Sequence, residues 1–302
     1  MPIGVDEWVA QQTSREDAGT GWRRWLHVLG ARVGWWQRWG LAIAAGVVFG
    51  LLGFNSNIET VGVSCLIYAI LSVGLNVVAG WAGLLDLGYI AFFGFGAYGY
   101  AIFSSDALGS GGAGGVHLPA VASFAIVLAA AAVFGALIGL ATLRVSGDYL
   151  AIVTLFVGEA FMEAVNNIDP GTLGGVNGLY GLDPVHGFGA KIETVGGYYY
   201  LALGCLAVLL VLLHLLDQSR TGRAWRAVRE DELAARAMTV PVGWVKVLAI
   251  VFGAVVGALA GAIFAAQQDS VFPTDFTENI LILIYACLVL GGSGSIAGAV
   301  LG

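Results

Sequence analysis

Apolar runs close to or above eighteen residues recur along the chain, and a run of that length is what an α-helix needs to cross a hydrocarbon core of about 30 Å. They fall at 40–54, 61–79, 84–103, 118–141, 148–167, 197–216, 244–267 and 278–291. Of the 302 residues 58% are hydrophobic and 11% charged, which leaves too few charges to cover a soluble domain of this size. The expectation is an all-α fold, a polytopic transmembrane bundle of about eight spans. The first run begins near residue 40, too late for a cleaved signal peptide with its short basic leader. Glycine, with 46 residues, has no three-residue period. It is expected to let membrane helices approach closely, as in the runs Gly135–Gly139 and Gly253–Gly257–Gly261.

Ahead of the first run, Trp22, Trp25, Leu26, Leu29, Val33 and Trp36 recur at helical spacing while Arg23, Arg24 and His27 point elsewhere. This fits a helix lying in the membrane interface with tryptophans at headgroup depth, or a basic juxtamembrane tail placed similarly. Residues 1–39 are therefore expected to form a cytoplasmic N-terminal segment and 40–302 a membrane domain. Arg23, Arg24, Arg32 and Arg38 put the N-terminus in the cytoplasm by the positive-inside rule. Arg144, four spans on, falls on the same side, as do Arg220, Arg223, Arg226, Arg229 and Arg236 after six. The loops 104–117 and 168–196 hold one basic residue, Lys191.

Other functions find little support. The histidines His27, His117, His186 and His214 are scattered, without ligand or nucleophile spacing, so neither a metal site nor a catalytic constellation is expected. GSGGAGG at 109–115 lacks the lysine of a phosphate-binding loop and reads as a flexible turn. No cofactor motif is present. No basic patch with interleaved aromatics points to nucleic acid. Cys65, Cys205 and Cys287 lie inside apolar runs and read as small hydrophobes. The net charge of −7 is carried by a few loops.

Three polar features stand out. In GDYLAIVTLFVGEAFMEAVNN, Asp148 opens a helix and Glu159 follows about 16 Å along its axis, near mid-membrane. Glu163 and Asn167 continue the same face. A carboxylate at that depth needs a partner, water or the bundle interior. Glu159 is either part of a polar stripe along a translocation path or an interhelical packing contact. In NVVAGWAGLLDLGYIAFFGFGAYGY, Gly80, Gly83, Asp86 and Gly88 straddle a boundary between apolar runs. A broken helix lining a cavity and close packing through small residues both explain them. The segment 219–240 (SRTGRAWRAVREDELAARAMTV) is charged, alanine-rich and helix-favouring. Glu230, Asp231 and Glu232 precede Leu233, Ala234 and Ala235, a surface that could dock into a groove of a soluble partner.

Four stretches in order, LNVVAGWAGLLDLGYIAFFGFGAY, LRVSGDYLAIVTL with GGVNGL, TGRAWRAVREDELAARAM and LVLGGSGSIAGAVLG, carry a likeness over residues 60–302. The chain resembles the larger of the two paralogous permease subunits of bacterial ABC importers for branched-chain amino acids. The resemblance implies a permease of the inner membrane without enzymatic activity of its own. It would work with a paralogous permease subunit, two cytoplasmic ATP-binding subunits, an extracytoplasmic binding protein and membrane lipid, and with no cofactor. It implies that Arg229, Glu230, Asp231, Glu232, Ala234 and Ala235 belong to the segment that engages the ATPase. Gly80, Gly83, Asp86 and Gly88 match a membrane signature, Gly147, Asp148 and Tyr149 a GDY element, and Gly174, Gly175, Asn177 and Gly178 an external turn. With Glu159 and Glu163, the residues Gly80, Gly83, Asp86, Gly88, Asp148, Tyr149 and Asn177 are expected along the substrate path. Two positions depart from the pattern: Thr239 stands where glycine is usual, and Val176 where proline is usual. Family members continue past the closing motif, so position 302 is expected to be internal to a longer protein. Rival readings are a sibling importer for urea or short amides and an ion-coupled transporter using Glu159; the charged 219–240 segment argues against the latter.

Overall fold

The computed structural model describes residues 35–51, 56–105, 117–145, 148–168, 174–187, 190–192 and 194–302. The interfacial segment up to residue 34, the 109–115 turn and Gly147 lie outside the described residues. Two units separate, Met1–Leu52 and Gly53–Gly302. The described part of the first is one helix, α1 (Trp35–Leu51), which begins before and ends before the apolar run at 40–54.

The second unit is helical almost throughout. Helix α2 (Ser56–Leu75) runs on as a π-helical turn, Asn76–Trp81. After a non-helical stretch comes α3 (Tyr89–Phe103), then α4 (Ala120–Ala141) and α5 (Asp148–Asn167). Helices α6 (Val195–Gln218), α7 (Arg220–Glu230) and α8 (Glu232–Ala237) follow. Last come α9 (Val242–Gln268), α10 (Glu278–Gly291) and α11 (Ile296–Leu301). Among the described residues, two-residue strands occur beyond the bundle end where α5 finishes. There β1 (Leu179–Tyr180) pairs antiparallel with β4 (Ser270–Val271), and β2 (His186–Gly187) with β3 (Ala190–Lys191). Among the described residues, six helices are long and apolar enough to cross a membrane: Asn57–Trp81, Ala120–Ala141, Tyr149–Asn167, Val195–Gln218, Val242–Gln268 and Pro273–Gly291. Helix α3 is apolar but shorter. The chain is therefore a polytopic helical membrane bundle.

Helix α9 occupies the centre, packed along α3 and α4 and against α2, while α6 covers α2 and α5 covers α3. In lipid, apolar burial alone does not drive helices together, so close backbone approach and shape carry the packing. The small residues serve this. A β-carbon at Gly96 would run into the Ala258 carbonyl, and one at Gly261 into the Phe93 carbonyl. Gly135 faces Ala254, and Gly253 faces Val78. Aromatic pairs fill the wider gaps, Phe92–Phe134 with centroids 5.8 Å apart and Phe93–Phe276 at 5.2 Å.

Two elements differ from the run-length expectation. The third run enters helix only at Tyr89, because Gly83 takes a left-handed backbone (φ +69°) and the Asp86 carboxylate accepts from the Gly88 N–H at 3.0 Å, closing a turn before α3. The charged 219–240 segment is two helices rather than one. Asp231 takes an extended conformation, and its carboxylate accepts from the N–H groups of Leu233 (2.8 Å) and Ala234 (3.0 Å), starting α8 afresh.

Candidate functional site

The arginine-rich end of the bundle is built around α7. Ser219 caps it, accepting from the Gly222 N–H at 3.2 Å. Gly222, Trp225 and Val228, three residues apart, form its buried face. Trp225 donates from its indole N–H to the Val245 carbonyl at 2.8 Å, tying α7 to the first turns of α9, and its ring lies 6.2 Å from that of Trp81. Arg226 pairs with Asp217 at 2.9 Å. Glu232 pairs with Arg236 at 2.6 Å and with Lys246 of α9 at 2.7 Å. The Lys246 hydrogen bond, helped by Arg236, holds the Glu232 carboxyl below its ordinary pKa. Beside the exposed Arg236, α8 and the residue after it leave an apolar set to solvent: Leu233 and Met238 are each 77% exposed, next to exposed Ala234 and Ala237. Glu230 and Asp231 are exposed at its edge, whereas Ala235 is turned inward.

Arg229, in the last turn of α7, is exposed, but its guanidinium reaches across to the end of the first long helix and donates to the Gly80 carbonyl. A helix that ends in a π turn leaves its last carbonyls without intrahelical donors, and Gly80 is one of these. The same turn is fastened to the loop between α10 and α11. Asn76 accepts from the Gly294 N–H at 2.8 Å, and the Trp81 indole donates to the Gly294 carbonyl at 3.0 Å. Gly83 and Gly294 both have positive φ, and both abut Arg229; a β-carbon at Gly294 would lie 2.7 Å from its guanidinium. The motifs at 76–88, 225–232 and 291–295, far apart in sequence, thus converge on one polar junction.

Further into the bundle the chain Ala82–Gly88 passes between α5 and α10. Asp86 is 2% exposed. The Tyr285 hydroxyl of α10 donates to the Asp86 carbonyl at 2.8 Å and accepts from its N–H at 3.1 Å. The Leu87 N–H donates to Thr154 of α5 at 3.0 Å, and Gly88 lies against the Thr154 carbonyl. The break in helical structure is therefore held from both sides.

Helix α5 begins at Asp148, and its outer face carries exposed Tyr149, Ile152, Val153, Phe156, Glu159 and Glu163. Glu159 reaches the carboxyl of Glu278, at the start of α10. Glu163 accepts from Asn167 at 2.6 Å. Glu159, Met162, Glu163, Asn166 and Glu278 line an open groove of about 440 Å³. Asn177 is exposed in the 3₁₀ turn Gly175–Asn177, which packs against α5. The expected path residues thus divide. Glu159, Glu163 and Tyr149 share one open helix face, while Asp86 and Gly88 are buried behind it. Asn76, Thr154, Glu278, Tyr285 and Gly294 carry contacts that sequence spacing did not single out.

A family described as the permease component of branched-chain amino acid transport systems matches residues 57–302. The chain is 37% identical over 256 residues to the high-affinity branched-chain amino acid transport system permease protein LivM of Escherichia coli (strain K12), covering 76% of this chain and 57% of that one. It is 27% identical over 183 residues to the probable branched-chain amino acid transport permease protein LivM of Methanocaldococcus jannaschii, 59% of this chain and 52% of that one. Against the autoinducer 2 import system permease protein LsrC of Shigella flexneri the identity is 31% over 146 residues, 44% and 43% of the two chains. The chain thus spans a little over half the length of these LivM relatives. No solved structure matches. With the family match covering all but the first few residues of the helical unit that holds the junction, the interrupted helix and the α5 groove, this chain belongs to the permease components of branched-chain amino acid transport systems.

Proposed function

We propose that this chain is a permease subunit of an ATP-driven importer that carries branched-chain amino acids across the bacterial inner membrane. It does no chemistry of its own. ATP is hydrolysed on two cytoplasmic partner subunits, a paralogous permease completes the membrane domain, and an extracytoplasmic binding protein delivers cargo. The observation that carries this reading is the α7–α8 unit, clasped to the bundle by Trp225 and Glu232 with Leu233, Ala234 and Met238 left open. An apolar face rimmed by Glu230 and Asp231 suits the groove of a soluble engine. Ala235 is buried against the bundle and the exposed Arg229 is engaged by the Gly80 carbonyl, so both belong to the hinge of that unit rather than to its docking face.

The positive-inside rule supports a cytoplasmic N-terminus and puts α7–α8 on the same side. Counting α1 and α3 with the six longer helices gives eight spans. Residues 1–39 form the cytoplasmic lead, 40–302 the membrane domain, and 219–240 the coupling segment within it. Cargo passes along the α5 face, by Glu159 and Glu163 with Asn177 at the outer end and Asp148 and Tyr149 at the inner. Gly80, Gly83, Asp86 and Gly88 form the break behind it.

Uptake of labelled leucine and urea into vesicles holding the full-length protein and its partner subunits tests this. Leucine uptake that requires both ATP and the binding protein is expected. Urea uptake alone would move the chain to importers of short amides. Uptake driven by an ion gradient without the ATPase would overturn the proposal.

A further inference from the structure

The junction around Gly80 joins three parts of the chain that have no local reason to meet. Arg229 closes α7, Asn76–Trp81 closes the first long helix, and Gly292–Ser295 links α10 to α11. An arginine in the last turn of a helix usually serves its own C-terminal carbonyls. Here its guanidinium instead supplies the Gly80 carbonyl, stranded by the π turn. Asn76 and Trp81 hold Gly294 from the other side, at 2.8 and 3.0 Å.

The two chains leaving this junction meet again. The stretch after Trp81 runs to Asp86, and α10 runs back from the glycine loop to Tyr285, whose hydroxyl bridges the Asp86 backbone N–H and carbonyl. A closed mechanical loop results: π turn, Ala82–Asp86, Tyr285, α10, Gly294, and back to Asn76. Arg229 is the hydrogen-bonding contact by which α7 enters it, beside the Trp225 ring packed 6.2 Å from that of Trp81. A displacement of α7 therefore moves the π turn and α10 together, and through them the segment held against Thr154 of α5. π turns recur where helices have to shift register at functional sites.

We propose that Arg229 is the positioning residue that transmits movement of the α7–α8 unit to the interrupted helix and α10, through the Gly80 carbonyl and the Asn76–Gly294 clasp. This rests on the importer reading above. It assigns Arg229 a role inside the membrane domain, distinct from contact with an ATPase.

The test uses the full-length chain in the assembled complex, reconstituted in vesicles with the binding protein. Co-purification of the ATPase, binding-protein-stimulated ATP hydrolysis and leucine uptake are measured for Arg229→Ala, Arg229→Lys and Asn76→Ala. Loss of a charge-assisted hydrogen bond at a transmitting contact is expected to lower uptake per ATP about tenfold or more in Arg229→Ala. Lysine restores part of it, since one donor suffices for one carbonyl. Asn76→Ala, remote from any docking face, is expected to reproduce the defect with the ATPase still bound. An unchanged uptake-to-hydrolysis ratio in Arg229→Ala would overturn the proposal. So would loss of the ATPase from Arg229→Ala with normal coupling in Asn76→Ala, which would make Arg229 a docking residue. Stimulation of hydrolysis by the binding protein reads the link whatever the cargo. A wrong cargo therefore shows as absent leucine uptake while that stimulation, and its loss in the variants, persists.

Discussion

Thr239 has φ +64°, a left-handed backbone that a β-branched residue adopts only under constraint. The constraint is a complete Schellman closure of α8, in which the Val240 N–H donates to the Ala235 carbonyl and the Thr239 N–H to the Arg236 carbonyl, both at 3.1 Å. Relief of strain of about 1–2 kcal/mol by Thr239→Gly exceeds the entropic cost of glycine, about 0.5–1 kcal/mol. A modest rise in thermal midpoint in detergent is expected; a fall would show that the threonine makes a compensating contact. Glu232 offers a second test. Its pKa is depressed in the folded state by Lys246 and then by Arg236, so its stabilising effect is present above the unfolded carboxyl pKa, about 4.3. The effect is lost as pH falls through the lower folded value. The midpoint difference between wild type and Glu232→Gln should be constant near neutrality and shrink in this acid range. A difference that does not change with pH would remove the ion pair as its cause.

At the scale of elements, the long helices were legible because a hydrocarbon core imposes length and apolarity on sequence, and α10 occupies the run expected for it, 278–291. The breaks were legible in composition only. Glycines at 80, 83 and 88 signalled an irregularity, but a continuing π turn and a helix start delayed to Tyr89 depend on hydrogen-bond partners distant in sequence: Arg229 donates to Gly80, Tyr285 donates to and accepts from Asp86, and Thr154 accepts from Leu87. Asp231 likewise reads as one more charge in a helical segment until its cap geometry divides that segment in two. The small-residue runs do report packing, and unequally. In α9, Gly261→Ala would press a methyl into the Phe93 backbone, with an overpacking cost of about 1–3 kcal/mol. In α6, Gly204 has open space around it, and Gly204→Ala should be neutral or stabilising by roughly 1 kcal/mol through helix propensity. Thermal midpoints of the two variants test the contrast; equal losses would mean that α9 does not depend on close approach to α3.

For the whole molecule, the informative surface is the outer face of α5. Tyr149, Ile152, Val153 and Phe156 would sit comfortably against lipid, but Glu159 and Glu163 on the same face would not, nor would Glu278 beside them. An exposed carboxylate at membrane depth has to meet either water or another protein surface, and both arise if this face borders a path closed by a second permease. Sequence alone left Glu159 divided between path and packing, because depth is readable from spacing whereas the direction of a side chain around a helix is set by its neighbours. The structure leaves Glu159 on the open side, with Glu278 across the groove rather than packed beneath other helices. A packing residue and a path residue then respond differently to Glu159→Leu. Removing a solvent-facing carboxylate should change stability by no more than about 0.5 kcal/mol, whereas removing a polar group from the path should lower uptake in the assembled transporter. Uptake and the detergent thermal midpoint of the same preparations separate the two: reduced uptake at an unchanged midpoint is expected. Normal uptake with a lowered midpoint would return Glu159 to the packing role and move the path to another face of the bundle.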